Sequence, residues 1–303
     1  MRAGFEAAPM VAAAASAVFT GMGVVAIRFV VTEWEPATLA FYRFAIAAVT
    51  ILPCLLFSRR ARLERRDVVP VCLLGAAFFG LFPWIFGAGM VHIPASRGAV
   101  VFGVIPLAAM VVAAVLRLEA LTGLKTLGAA LAFGGVALAL GDRAALGADA
   151  DDAWVGEMLA GTATLLLAIN FVLFAPWLRK YPALTVAAWS MLAGAVFLIP
   201  FAAWEGGFAA VPDLSPARWW AVAFLGVFSG SLGYFLWIWA LQRSTPTRSA
   251  VFVVLNPITA TFLGALLLSE AITTAFLLGL AGVVTGILVA NWQPGGSTKP
   301  PVN

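Results

Sequence analysis

Charge is scarce in this 303-residue chain. Only 11% of its residues are Asp, Glu, Lys or Arg, against roughly 25% in an average soluble domain, so there is too little polar surface to clothe a water-facing globule. Cysteine is nearly absent, and Cys54 and Cys72 both fall within apolar stretches, which argues against a disulfide framework or a thiolate metal site. A single histidine, His92, leaves no ligand cluster for zinc or haem. No G-x-x-x-x-G-K-S/T loop is present to cradle nucleotide phosphates. No Asp or Glu falls near the centre of an apolar run, so a buried carboxylate proton relay has no obvious seat. What abounds is apolar sequence, with 63% hydrophobic residues and a mean hydropathy of +1.01.

A membrane span needs about 20 mostly apolar residues. Ten windows qualify, near 8–30, 37–57, 68–91, 98–116, 125–140, 154–177, 183–204, 219–241, 249–268 and 273–292, joined by short connections with no room for a soluble domain. Residues 2–30 have the outline of a secretion signal, but their apolar stretch exceeds the usual length of roughly 7–15 residues. They also match the slot of span six in the repeat described below, and are read as span one. Counting Lys and Arg by side gives thirteen on the side of the second loop, from Arg2 to Lys299, against four on the other, Arg28, Arg97, Arg143 and Arg218. The positive-inside rule then places both termini in the cytoplasm, for a multi-pass protein of a bacterial inner membrane. Net charge +4 is explained by this orientation and does not call for nucleic acid.

The chain is also written twice. Shifted by 151 residues, Arg97 falls on Arg248, Pro106 on Pro257 and Glu119 on Glu270, while Gly75, Gly128 and Gly135 fall on Gly226, Gly279 and Gly286. Five spans per copy is an odd number, so the second copy is expected upside down relative to the first. The expectation is an all-α membrane protein of ten transmembrane helices in two inverted five-helix repeats. Residues 1–141 form the first repeat, 142–153 an outside linker, 154–293 the second repeat and 294–303 a disordered cytoplasmic tail. Inverted duplication is the build of alternating-access carriers, whose substrate lies near midplane where the copies meet.

Two stretches carry a family resemblance: "RLEALTGLKTLGAALAFGGVAL" closing the first copy and "LLSEAITTAFLLGLAGVVTGILVA" closing the second, with "EPATLAFYRFAIAA" after span one. Each copy closes on a Glu and a Gly-rich span and resembles an EamA module. The whole chain is similar to the drug/metabolite transporter superfamily, and most like its aromatic amino acid exporters of the YddG type. That resemblance implies a non-enzymatic exporter of amino acids, metabolites or drugs.

Candidate site residues follow from the chemistry of a bilayer interior. Pro106 and Pro257 sit at matching points of spans four and nine. Proline removes a backbone donor and frees carbonyls that only a protein-lined cavity tolerates at that depth, so these are candidate kinks or gates; simple packing kinks are the alternative. Asn256 precedes the second proline and is replaced by Ile105 in the first copy, while Asn170 lies in span six. Either amide can serve a solute or a neighbouring helix. Phe79, Pro83 and Trp84 on span three and Tyr234 and Trp237 on span eight are expected to wall a cavity for a flat solute, with lipid-facing or interfacial placement as the alternative. Arg43 lies about two turns inside span two and can pair a solute carboxylate, though a structural ion pair with Glu33 or Glu35 is the preferred reading. Glu119 and Glu270 are read as caps at the starts of spans five and ten. No catalytic residue, metal or cofactor is expected.

The reading is a carrier of small amphipathic solutes, aromatic or hydrophobic amino acids first, exporting them by alternating access as a facilitator. Its partners would be a small-molecule substrate and the bilayer, as monomer or homodimer. A drug or other metabolite exporter of the same fold is the near alternative. An intramembrane enzyme or a non-transporting scaffold are the alternatives from other classes.

Overall fold

In hydrocarbon each backbone N–H and C=O must find its partner within the protein, which leaves helices as the economical choice for apolar runs of this length. The structure, a computed structural model, describes residues 3–56, 63–142, 151–209, 214–243 and 251–292, and these form helices joined by short turns, with no strand among them. They are α1 (Ala3–Val31), α2 (Pro36–Leu56), α3 (Arg65–His92), α4 (Ala95–Val115) and α5 (Gly123–Gly141). There follow α6 (Ala153–Lys180), α7 (Ala183–Trp204), α8 (216–243), α9 (Val251–Leu268) and α10 (Thr274–Ala290). Among the described residues nine helices are long and apolar enough to cross a bilayer. The tenth, α10, has 17 residues, at the short end of the spanning range. The expected tail and most of the expected linker, residues 143–150, lie outside the described residues.

Local sequence sets the ends. Pro36 and Pro216 occupy first helical positions, where a missing N–H costs nothing. Thr122 and Thr273, which are counterparts in the repeat, cap α5 and α10 by accepting from the backbone N–H of Lys125 and Phe276 at 3.4 and 3.1 Å. Where α3 begins and α6 ends, Lys180 donates to Glu64 at 3.0 Å and Asp67 at 2.5 Å, and Tyr181 donates to Asp67. The hydrogen bond from Lys180, ahead of the nearby charges of Arg66 and Lys180, holds the Glu64 carboxyl below its ordinary range. A lowered carboxylate keeps its partners at neutral pH and releases them only as pH falls through its own folded-state value, so this clasp is closed under physiological conditions.

Four helices depart from regularity, and they do so at matched places. α3 and α8 contain π-helical segments, Ala77–Leu81 and Leu225–Leu232, and residues 77–81 shifted by 151 land on 228–232. α4 breaks at Val104 and α9 opens as a 3₁₀ turn over Val251–Val254, each just before its proline.

The most extensive contacts run between the halves in exchanged pairs. α1 packs on α8 and α9, while its counterpart α6 packs on α3 and α4. α2 packs on α8 and its counterpart α7 on α3; α2 also meets α7, α4 meets α9 and α5 meets α10. The α5–α10 contact is backbone on backbone. A Cβ built on Gly128 would stand 2.5 Å from the carbonyl oxygen of Gly286, and one on Gly135 would stand 2.5 Å from that of Gly279. Rising numbers on one helix meet falling numbers on the other, so the two run antiparallel. Small residues allow such approach, and in a bilayer dispersion between close surfaces replaces the hydrophobic drive that lipid cannot supply.

Gly135→Val is therefore expected to lower the melting midpoint of the purified protein in detergent, overpacking of this kind costing about 1–3 kcal/mol. Gly134→Ala, one residue along where an added methyl meets nothing within 4 Å, should leave it unchanged. Equal midpoints for the two variants would show that the glycine contact does not hold the helices together.

Candidate functional site

The four irregular helices meet around one cavity of about 180 Å³. Its walls come from both halves. α3 contributes Phe78, Phe79, Phe82, Pro83 and Phe86, and α8 contributes Ser229, Tyr234 and Trp237. Arg43 and Phe44 of α2, Pro106 of α4, Leu167 and Phe171 of α6, Asn256 of α9 and a strip of α1 from Ser16 to Ile27 add to it. The aromatic wall is continuous: the ring centroid of Phe79 lies 5.3 Å from Tyr234, 5.2 Å from Phe44 and 4.5 Å from Phe78, in edge-on or tilted arrangements.

The π segments explain how backbone reaches this space. A widened turn frees carbonyls from the regular ladder, and in a bilayer these need other donors. Two hydroxyls donate across the halves to carbonyls beside the irregular segments. Ser16 of α1 donates to the carbonyl of Gly233 in α8 at 2.7 Å, and Thr164 of α6 donates to that of Val101 in α4 at 3.4 Å. On α3 the cause is visible in Pro83, whose missing N–H deprives Phe79 of its regular partner. α8 has no proline there but carries Gly226, Gly230 and Gly233 instead.

Seven of the ten sequence-derived candidates line the cavity: Arg43, Phe79, Pro83, Pro106, Tyr234, Trp237 and Asn256. Three do not. Trp84 points away, its ring 4.4 Å from that of Phe201 in α7, because one residue's rotation from Pro83 carries it round the helix. Asn170 is buried but turned to its own helix, its amide nitrogen donating to the Leu166 carbonyl at 3.0 Å. Pro257 lies against Gly103, so the two helix breaks pack on each other while Pro106 faces the space.

Polar groups in the cavity are few and one-sided. Among the described residues no acidic side chain lines it. The ion pair expected for Arg43 is not formed: Glu33 pairs with Arg218 at 2.6 Å, and the Arg43 guanidinium finds only the Ser229 hydroxyl at 3.4 Å and the Phe44 ring at 4.9 Å. Its Nε has no partner, and neither side-chain atom of Asn256, 2% exposed, has one. Ser229, Ser16 and Phe44 were not among the candidates. Small hydroxyls and single phenylalanines are common in any span, so only the tertiary arrangement distinguishes these three.

The ends of the bundle are tied by charges used differently from expectation. Glu270 does not cap α10; its carboxylate accepts from the backbone N–H of Ala95 and Ser96, at 2.5 and 3.0 Å, and so caps α4. Arg97, the next residue, is buried, pairs with Glu157 at 2.7 Å and donates to the carbonyls of Asp142 and Leu140. Glu119 caps nothing either: it is 60% exposed and pairs with Lys125 at 3.3 Å.

Comparison with known proteins adds an independent line. The EamA-like transporter family matches the chain twice, over residues 8–141 and 154–292. An uncharacterized transporter of Archaeoglobus fulgidus is 26% identical over 275 residues, covering 89% of this chain and 94% of that protein. A probable terminal-alkyne amino-acid exporter of Streptantibioticus cattleyicolor is 29% identical over 272 residues, covering 88% of this chain and 87% of that one. One solved crystal structure superimposes with a TM-score of 0.65 at 18% identity, covering 94% of this chain and 96% of its own, a likeness of fold.

The two glutamates separate experimentally. Loss of a cap costs about 1 kcal/mol and more when the cap is charged, whereas an exposed ion pair is worth roughly 0–1 kcal/mol. Glu270→Ala should thus lower the melting midpoint clearly and Glu119→Ala hardly at all; the reverse order would contradict the capping assignment.

Proposed function

The chain belongs to the EamA-like transporter family, and from that premise we propose that it exports small amphipathic metabolites, aromatic or hydrophobic amino acids first among them, by alternating access. It is a multi-pass membrane transporter and not an enzyme. The observation that carries the finer reading is the cavity itself, walled by aromatic rings from both halves and opened where helices break at matched positions. Discontinuous helices that expose backbone to a cavity between repeats are the usual setting of a carrier's solute. The relative named as an amino-acid exporter supports an amino-acid-like solute, and the aromatic wall favours one with a ring.

Inversion of the repeats belongs to the same proposal. Its support is geometric: Gly128 and Gly279 are repeat counterparts, as are Gly135 and Gly286, yet Gly128 meets Gly286 and Gly135 meets Gly279. Such exchanged pairing is the mark of a two-fold relation, and across antiparallel helices it places the axis in the membrane plane. Together with the Lys and Arg distribution, this supports a reading in which both termini lie on the cytoplasmic side of the inner membrane and the repeats span 1–141 and 154–293. Cysteine labelling, in a background without Cys54 and Cys72, should find positions 62 and 151 on opposite sides. Finding them on one side contradicts the inverted arrangement.

Among the described residues no acidic side chain lines the cavity, which supports a facilitator that equilibrates solute in either direction without an imposed proton gradient. Proteoliposomes with no pH difference and no potential should show counterflow of phenylalanine. Tyr234→Ala or Trp237→Ala should weaken phenylalanine exchange more than exchange of small aliphatic amino acids. The loss corresponds to about 0.5–1.5 kcal/mol of ring contact, up to roughly tenfold in apparent affinity. Equal losses for both solute classes would reassign these rings to packing, and accumulation abolished by a protonophore would mean that a proton is coupled.

A further inference from the structure

We propose that the polar pole of the cavity, the Arg43 guanidinium with the Ser229 hydroxyl and the Asn256 amide, is a carboxylate site, so that the transported class is an organic monoanion with an apolar or aromatic body, whether or not it also bears an amino group. This rests on the reading of the cavity as a solute site and adds the charge of its occupant. The starting point is a cation without a counter-charge. Arg43 stands about two turns inside α2; Glu35, at the helix start, is exposed, and the other carboxylates of the neighbouring helices are engaged elsewhere. Glu33 holds Arg218, Glu205 accepts from the backbone N–H of Ala37 and Thr38, Glu157 holds Arg97 and Glu270 caps α4. A hydroxyl at 3.4 Å and a ring face at 4.9 Å do not neutralise a guanidinium. An ion taken out of water without a partner is costly, and an arriving carboxylate removes that cost while a cation adds to it.

The geometry suits a carboxylate in three ways. A guanidinium is a planar fork that matches two carboxylate oxygens at once. Asn256, almost wholly buried, has both its amide nitrogen and its amide oxygen unpaired, and buried polar groups in that state are rare unless a partner is to come. The two groups also lie at one depth. A methyl added to Gly23 of α1 would strike the Ser229 hydroxyl that Arg43 reaches, and one added to Gly21 would strike the Asn256 backbone carbonyl. Two residues of helix separate those glycines, about 3 Å of rise and about 200° of turn, so the two groups flank α1 at one depth and face each other across the cavity that both line. The rest of the wall is apolar and aromatic apart from the Ser16 and Thr20 hydroxyls, which donate to backbone carbonyls, and among the described residues no acidic side chain lines it to receive an ammonium. The ammonium of a zwitterion must instead face the rings of Phe79 and Tyr234, as cations do over aromatic faces. The amino group is therefore dispensable and the carboxylate is not.

Three ligands with the same ring decide it, titrated into the purified protein in detergent, where bilayer permeation does not interfere: 3-phenylpropionate, phenylalanine and phenethylamine. The anion and the zwitterion should bind, with the amine at least tenfold weaker. In Arg43→Gln the affinity for 3-phenylpropionate should fall tenfold or more while that for the amine rises, and Arg43→Lys should recover part of the loss. Asn256→Ala should weaken the two carboxylates and not the amine. Amine binding as tight as that of the anion, or carboxylate affinity unchanged in Arg43→Gln, overturns the carboxylate site while leaving an amphipathic-solute cavity intact. If none of the three binds, the solute-cavity reading fails and this inference with it. Should Arg43→Gln not fold, the wild-type ligand series and Asn256→Ala still separate these outcomes.

Discussion

A helix that gives up regular backbone bonds inside a bilayer must find donors and acceptors nearby, because no water reaches it. This constraint organises the centre of the molecule. α3, α4, α8 and α9 all lose their regular ladder where they line the shared cavity, and on α8 and α4 other helices supply hydroxyls. The service is reciprocal: α1 of one half bonds the carbonyl of Gly233 in the other, and α6 of the other half bonds that of Val101 in the first. The irregularities are thus a joint property of the two halves, which explains why the most extensive packing runs between them and not within each.

Such a scaffold is nearly symmetric while its chemistry is not. Pro106 and Pro257 are counterparts, yet only Pro106 faces the cavity; Asn256 is matched by Ile105, and Arg43 stands in one half only. A two-fold arrangement of identical polar groups would place like charges across a narrow space, where they repel. Confining charge to one wall leaves the other apolar and gives the cavity a polar and a greasy end. On the proposed function, that division orients an amphipathic solute.

Much of the architecture was legible because the bilayer imposes coarse rules. Span length, short connections, the repeat offset and the paired prolines are written in composition and spacing, and so the helices and the matched breaks in α4 and α9 could be anticipated. The π segments could not, since α8 widens without a proline to mark it. Residue-level facing was read less well. Trp84 and Asn170 lie one position from cavity-lining neighbours, Pro83 and Phe171, and a rotation of about 100° per residue separates lining from packing. Arg43 and Glu270 were misassigned for another reason: their partners depend on which helices lie adjacent, and nearness in sequence to Glu33, Glu35 or α10 carried no information about that.

The charged contacts bear on how the bundle could cycle. At one end Glu270 grips the start of α4, while Arg97 ties that same start to the end of α5 and the beginning of α6. At the repeat-equivalent position Glu119 is exposed and, among the described residues, pairs with Lys125. A carrier that alternates must exchange a tied end for a loose one, and the free-energy gap between the two states must stay within a few kcal/mol if both are to be visited. Two backbone bonds to a carboxylate and one buried ion pair are contacts of that scale, strong enough to hold an end shut and weak enough to be traded for equivalents elsewhere. Glycine contact between α5 and α10 is of a different kind, since backbone meets backbone and no side chain can let go. On the proposed alternating cycle, the natural division is a fixed seam of α5 and α10, against which the helices with capped ends and irregular segments move.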